Sequence, residues 1–305
     1  MELTGILLGL AAALGHSLSY LATRWFTQDR GRGTGQLLVL SHTAMGLGCA
    51  AVLPWVWPAG LGWEARWLLR LAGVVGCFVV AQVCLLSALR RVEASRVAPL
   101  LGLKVAMLAV ISVALGGSLS AGQWLGVGLA VVSAWMLHGV GGRLPPRVTA
   151  LVFGACVAYA VNDTFILSLI REVQRLTGDR SVMGVPLFAA AAAYTAVGGL
   201  AACLLPVYGT RQAAAWRDAA PYTASWALTM VVLYAAFAAI ETVLTSILQS
   251  TRGLISIGLG VLLARAGWQH LEPKQGGWVV GRRLAAAALM TAAVACYVVA
   301  GRGSG

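Results

Sequence analysis

The chain has 305 residues, 59% of them apolar and only 10% charged, with a formal net charge of +12. So little polar surface cannot clothe a soluble globule of this length, and the composition describes a multi-span membrane protein. The positive charge sits mostly in short connections, where it reads as topology and contact with anionic lipid headgroups; without a basic domain to host it, nucleic acid is excluded as a partner.

Runs of roughly 20 apolar residues are long enough to cross a hydrocarbon layer about 30 Å thick. In chain order they fall at 3–26, 36–57, 67–89, 94–116, 121–141, 148–170, 184–208, 219–239, 242–264 and 278–301. Glycine and proline punctuate the breaks, as at Gly31-Arg32-Gly33, Pro58, Gly116-Gly117, Pro145-Pro146 and Gly209-Thr210. Alternating ten-residue strand patterns are absent, which argues against a β-barrel. Met1-Glu2-Leu3 lacks the basic start of a signal peptide, so the first run is expected to stay as a span. Thirty-seven glycines fit helices packed closely in lipid, where small residues let backbones approach. The six cysteines, Cys49, Cys77, Cys84, Cys156, Cys203 and Cys296, stand singly in apolar runs and carry neither zinc nor redox spacing. Tryptophans gather at span ends (Trp25, Trp55, Trp57, Trp63, Trp67, Trp216, Trp268 and Trp278), as interfacial anchors do.

One stretch recurs. Glu93 to Lys104 reads EASRVAPLLGLK and Glu241 to Arg252 reads ETVLTSILQSTR, an acid followed eleven residues later by a base near the middle of an apolar run. A second echo pairs Leu8-Gly9 with Phe153-Gly154, each leading to a polar group, Ser17 to Tyr20 and Asn162 to Phe165. A five-span unit duplicated in tandem must insert its second copy upside down. The predicted fold is therefore all-α and integral to the membrane, with ten transmembrane helices as two inverted five-helix repeats, 1–144 and 145–305.

Ala88-Leu89, then Leu115-Gly116-Gly117-Ser118-Leu119-Ser120 and Gln123-Trp124-Leu125-Gly126, are similar to the "AL…LGE.LS..QWLG" passage of the EamA-like ten-helix members of the drug/metabolite transporter superfamily. The resemblance implies a multi-pass permease of the cell (inner) membrane. Gly117 stands where that family usually has glutamate, and Val105 and Gly253 where a proline often follows mid-span, so no role is carried onto these positions. The connections after odd-numbered spans hold twelve Lys/Arg against five in the others, which places both termini outside. The resemblance implies cytoplasmic termini, and an even span number puts them on one side in either case.

An ionisable group at helix-centre depth costs roughly 2.5 to 3.5 kcal/mol to insert, so Lys104 and Arg252 are expected to face a wet cavity or a partner. As prongs from the two halves they would hold an anionic group, as the basic residues on spans four and nine of the resembling sugar-phosphate translocators do. The other reading neutralises each with an internal acid such as Asp163, which could equally be a proton site or a ligand for a cation. Asn162, His16 and Tyr20 join the candidate substrate-binding residues; His16 shares a helix face with Tyr20, and Asp163 shares one with Tyr159. Glu93 and Glu241 stand at the turns into spans four and nine as candidates for coupling or gating, each on the same helix face as its base about 16 Å away.

The expected activity is secondary transport by alternating access of a small anionic or zwitterionic metabolite. Export of cationic or aromatic compounds through an Asp163-centred cavity is one alternative, and a lipid-modifying transferase or scramblase is another. HExxH, GxSxG and P-loop motifs and clustered Cys/His ligands are missing, so no enzyme, cofactor or metal is expected. The partners expected are the substrate and membrane lipids, with the chain a monomer or homodimer.

Overall fold

Each of the ten apolar runs carries helix in the computed structural model, which describes residues 2–89, 91, 98–138, 145–252, 255–256, 258–259, 262 and 277–302. Among these residues there is no strand. The helices are α1 (Glu2–Arg24), α2 (Thr34–Val56), α3 (Ala65–Leu89), α4 (Lys104–Ala114), α5 (Ala121–His138), α6 (Pro146–Thr177), α7 (Gly184–Cys203), α8 (Ala213–Ile240), α9 (Thr242–Ser250) and α10 (Gly277–Arg302). Six described segments are long and apolar enough to cross a membrane: Glu2–Asp29, Thr34–Val56, Ala65–Leu85, Pro146–Thr177, Gly184–Cys203 and Ala213–Ile240. Shorter apolar helices occupy Leu101–Ala114, Ala121–Ser133 and Ala288–Gly301.

Local chemistry sets several of the boundaries. Glu2 lies in the first turn of α1 and Arg24 in its last, each at the end of the helix dipole that its charge favours. Ser120 and Gln123 form a reciprocal capping box before α5. The Ser120 N–H donates to Gln123 Oε1 at 2.9 Å and the Gln123 N–H to Ser120 Oγ at 3.3 Å. Pro146 opens α6, where its missing N–H would be unsatisfied in any case. At its other end Gly178 takes φ +73°, the left-handed cap that a side chain would disfavour.

The chain packs as two compact units. One comprises residues Met1–Val75 and Phe165–Ile240, the other Gly76–Thr164 and Glu241–Gly305. They are not the halves 1–144 and 145–305: each unit takes two whole helices and part of a third from each half, because the division cuts α3 after Val75 and α6 after Thr164. In the first unit α1 packs on α8 and α2 on α7. At the α2–α7 contact Gly46 meets Gly198, and a Cβ on Gly46 would lie 2.5 Å from Gly198 Cα. The centre of this unit is built from Met45, Trp67, Ile170, Phe188, Tyr194 and Phe237. Trp67 is fully buried there against Trp57, Trp63 and Phe188, so of the tryptophans expected as interfacial anchors this one is a core residue.

In the second unit α5 packs along α10. Its Gly122-x-x-x-Gly126 face makes this possible, since a Cβ at Gly126 would fall 2.8 Å from the Ala293 carbonyl oxygen. Ser133 Oγ donates to the Ala286 carbonyl at 2.7 Å across the same interface. A smaller apolar cluster of Ala88, Leu101, Val148, Val152, Ala155 and Cys156 holds α6 beside the start of α4.

The repeated acid-to-base stretches are not continuous α-helices. Ala98–Leu103 is a 3-10 helix, which advances about 2.0 Å and a third of a turn per residue, and α-helical form begins only at Lys104. In the second copy α9 stops at Ser250, Thr251 caps it, and helix resumes at Arg252. The shared helix face expected of Glu93 and Lys104 falls partly outside the described residues.

Candidate functional site

Lys104, Asp163, Ser246 and Arg252 lie together within the second unit. Cys156, Tyr159 and Asp163 recur at helical spacing along α6, and this stripe runs past the junction of the 3-10 segment with α4, where Tyr159 and Cys156 pack with Leu101, Leu103 and Met107. The Lys104 backbone N–H reaches the Cys156 thiol. The Lys104 ammonium turns the other way along the stripe and donates to Asp163 Oδ2 at 2.7 Å. Ser246 Oγ of α9 donates to the same oxygen at 3.3 Å.

This arrangement has an electrostatic reason. An ammonium inside an apolar run is costly without a counter-charge, and the Asp163 carboxylate supplies one. The side chains of Lys104 and Asp163 are 14% and 6% exposed, little enough that neither charge has water as a sufficient partner. Arg252 is half-buried, and its charge also acts on Asp163 and on Cys156. Two bases, Lys104 and Arg252, thus act on one buried acid.

The other predicted residues are distributed as follows. Asn162 is buried beside Asp163. His16 and Tyr20 belong to the first unit. His16 is buried, its Nδ1–H donates to the Ala12 carbonyl at 3.0 Å, and its ring meets Trp226 edge-on at 5.1 Å. Tyr20 is half-buried. Glu241 is exposed at the break between α8 and α9 with φ 67° and ψ 174°, a backbone conformation close to glycine-only territory; it is the one non-glycine residue at positive φ among those described. Its carbonyl accepts the Thr245 hydroxyl at 2.6 Å. Glu93, with its neighbours Arg90 and Arg96, and Gly253 lie outside the described residues.

Sequence reasoning missed Ser246 and Gln249. Their signal was a polar pattern, Thr242, Thr245, Ser246 and Gln249, inside an apolar run. It also missed Glu172, because the sixth span was ended at 170 whereas α6 continues to Thr177. Glu172 is buried in the first unit and pairs with Arg70 at 3.1 Å and Arg175 at 2.6 Å, while Arg70 Nε donates to Ser168 Oγ at 2.8 Å. Among the described residues no group of three or more His, Cys, Asp or Glu side chains gathers to hold a metal.

The profile of the EamA-like transporter family matches residues 3–138. Over those residues the chain is similar to the EamA-like transporter family, which lies within the drug/metabolite transporter superfamily. Members of the family are transporters, and the apolar helices agree with a multi-pass membrane protein. A protein crystal structure matches over 100% of both chains with a TM-score of 0.70 at 16% identity, which shows a shared fold. No curated protein matches the chain.

Proposed function

We propose that this EamA-like protein is a secondary transporter of ten spans in two inverted repeats, 1–144 and 145–305, moving a small anionic or zwitterionic metabolite across the inner membrane by alternating access. The observation that carries this reading is the position of the two bases. Lys104 is the first α-helical residue after a 3-10 segment, and Arg252 is the first helical residue after the Thr251 cap. Interrupted helices at mid-span are where transporters of this kind place their substrate, because loosened backbone is tolerated there only beside a cavity. Two bases, Lys104 and Arg252, directed at one point inside apolar sequence support a negatively charged substrate group there. Asp163 is already engaged by Lys104 and Ser246, which weighs against it as the ligand of an organic cation.

Arg252 is the residue to remove first, since truncating Lys104 would also leave Asp163 without its ammonium. A thermal-shift screen of anionic and zwitterionic metabolites on purified protein supplies the ligand, and uptake into vesicles containing Arg252→Ala supplies the test. Uptake is expected to fall at least about tenfold, the effect of losing about 1.4 kcal/mol of binding. Normal uptake of that metabolite by Arg252→Ala would rule the anion site out.

A further inference from the structure

The geometry points to Gln249 as a further substrate-binding residue, presenting its side-chain N–H to an oxygen of the anionic group at the Lys104–Asp163–Arg252 site. This rests on the reading of that site as the transport site. On a helix at 100° per residue, Thr242, Thr245, Ser246 and Gln249 fall within an arc of about 100°, and Val243, Leu244, Ile247 and Leu248 take the remainder. All eight side chains are buried, so α9 hides its polar stripe as completely as its apolar face. The direction of the stripe is fixed by Ser246, whose hydroxyl reaches Asp163. Gln249, one turn further along toward Arg252, is 3% exposed, and among the described residues its Nε2 has no hydrogen-bond partner.

An amide nitrogen held out of water without an acceptor is costly, and natural chains rarely keep one without a use. A structural role would call for a partner in the protein, whereas a binding role calls for an acceptor that arrives with the ligand. A carboxylate or phosphate oxygen drawn in by Arg252 is such an acceptor. The primary amide adds a directional donor where Lys104 and Arg252 contribute charge, so it favours a group whose oxygens are close together over a diffuse anion.

The test needs no knowledge of the natural substrate. Full-length Gln249→Cys in lipid vesicles is treated with the anionic reagent 2-sulfonatoethyl methanethiosulfonate or with its trimethylammonium counterpart, and modification at residue 249 is read by mass spectrometry. Ser246→Cys, on the same stripe, serves as the second variant, and SDS-denatured protein shows that each thiol is chemically competent. Both thiols are expected to be modified in the folded protein. Adding Arg252→Ala is expected to lower the anionic-to-cationic rate ratio by about tenfold, as loss of a focusing charge does. Thiols at 246 and 249 that stay inert until denaturation would overturn the proposal, and with Arg252→Cys still labelled the transport-site reading would survive it. Labelling with a rate ratio indifferent to Arg252 would instead place Gln249 in a wet cavity that does not select anions, overturning the assigned role and the anion reading together.

Discussion

At the scale of single residues, the chemistry turns on one short contact, the 2.7 Å pair between Lys104 and Asp163. Both residues were evident in the sequence, because an ion inside an apolar run is conspicuous. Their pairing was one of two readings the sequence left open, and it is the one the structure shows, since helical periodicity reports which face a residue occupies and cannot choose a partner 59 positions away. A double-mutant cycle measures what the pairing contributes. Removing one member of a buried pair strands the other charge, so Lys104→Ala or Asp163→Ala is expected to destabilise the protein by about 3–5 kcal/mol. The double variant Lys104→Ala/Asp163→Ala leaves no stranded charge and is expected to be more stable than either single variant. Denaturation of these three variants and the unaltered protein in one detergent gives the coupling directly. Additive losses would mean that the two charges are held independently.

Secondary elements were the most legible scale, for a physical reason. Lipid imposes a minimum apolar length on each helix, so each of the ten apolar runs could be matched to helix among the described residues without reference to tertiary structure. What length could not reveal is a change of helical form within a run. The 3-10 segment Ala98–Leu103 carries Pro99 in its first turn, a signal that a count of apolar residues passes over, whereas no proline marks the interruption at Thr251. Helix ends were also blurred, and the seven residues by which α6 passes 170 contain the buried Glu172. Packing between elements rests on small residues that composition announced only in bulk. At the α2–α7 contact the backbones of Gly46 and Gly198 touch, so a branched side chain cannot be absorbed by a rotamer change. Gly46→Leu is expected to lower thermal stability by more than the 1–3 kcal/mol usual for overpacking. Gly48→Leu, where a Cβ meets nothing within 4 Å, is expected to be neutral. Equal melting temperatures for the two variants would show that the α2–α7 contact does not stabilise the protein.

For the whole molecule, the sequence suggests two tandem halves whereas packing divides the chain into two units that each draw on both halves. These divisions answer different questions. A repeat is a record of how the gene was built, and a unit is a set of residues that bury one another's surfaces. The inverted insertion proposed above would let the two coexist, with helices from opposite halves free to pack in pairs, as α5 does with α10 and α1 with α8. If each proposed repeat has five spans, the total is ten, and an even number returns the chain to the side on which it began, so reporters fused before α1 and after α10 should respond from the same side of the membrane. Paired alkaline phosphatase and fluorescent-protein fusions at each end distinguish the sides. Ends on opposite sides would refute the ten-span proposal and with it the five-plus-five repeat. If the ends agree, the side they share decides between the bias of twelve Lys/Arg against five, which places them outside, and the family resemblance, which places them in the cytoplasm. Agreement on the cytoplasmic side would mean that features other than connection charge orient this chain.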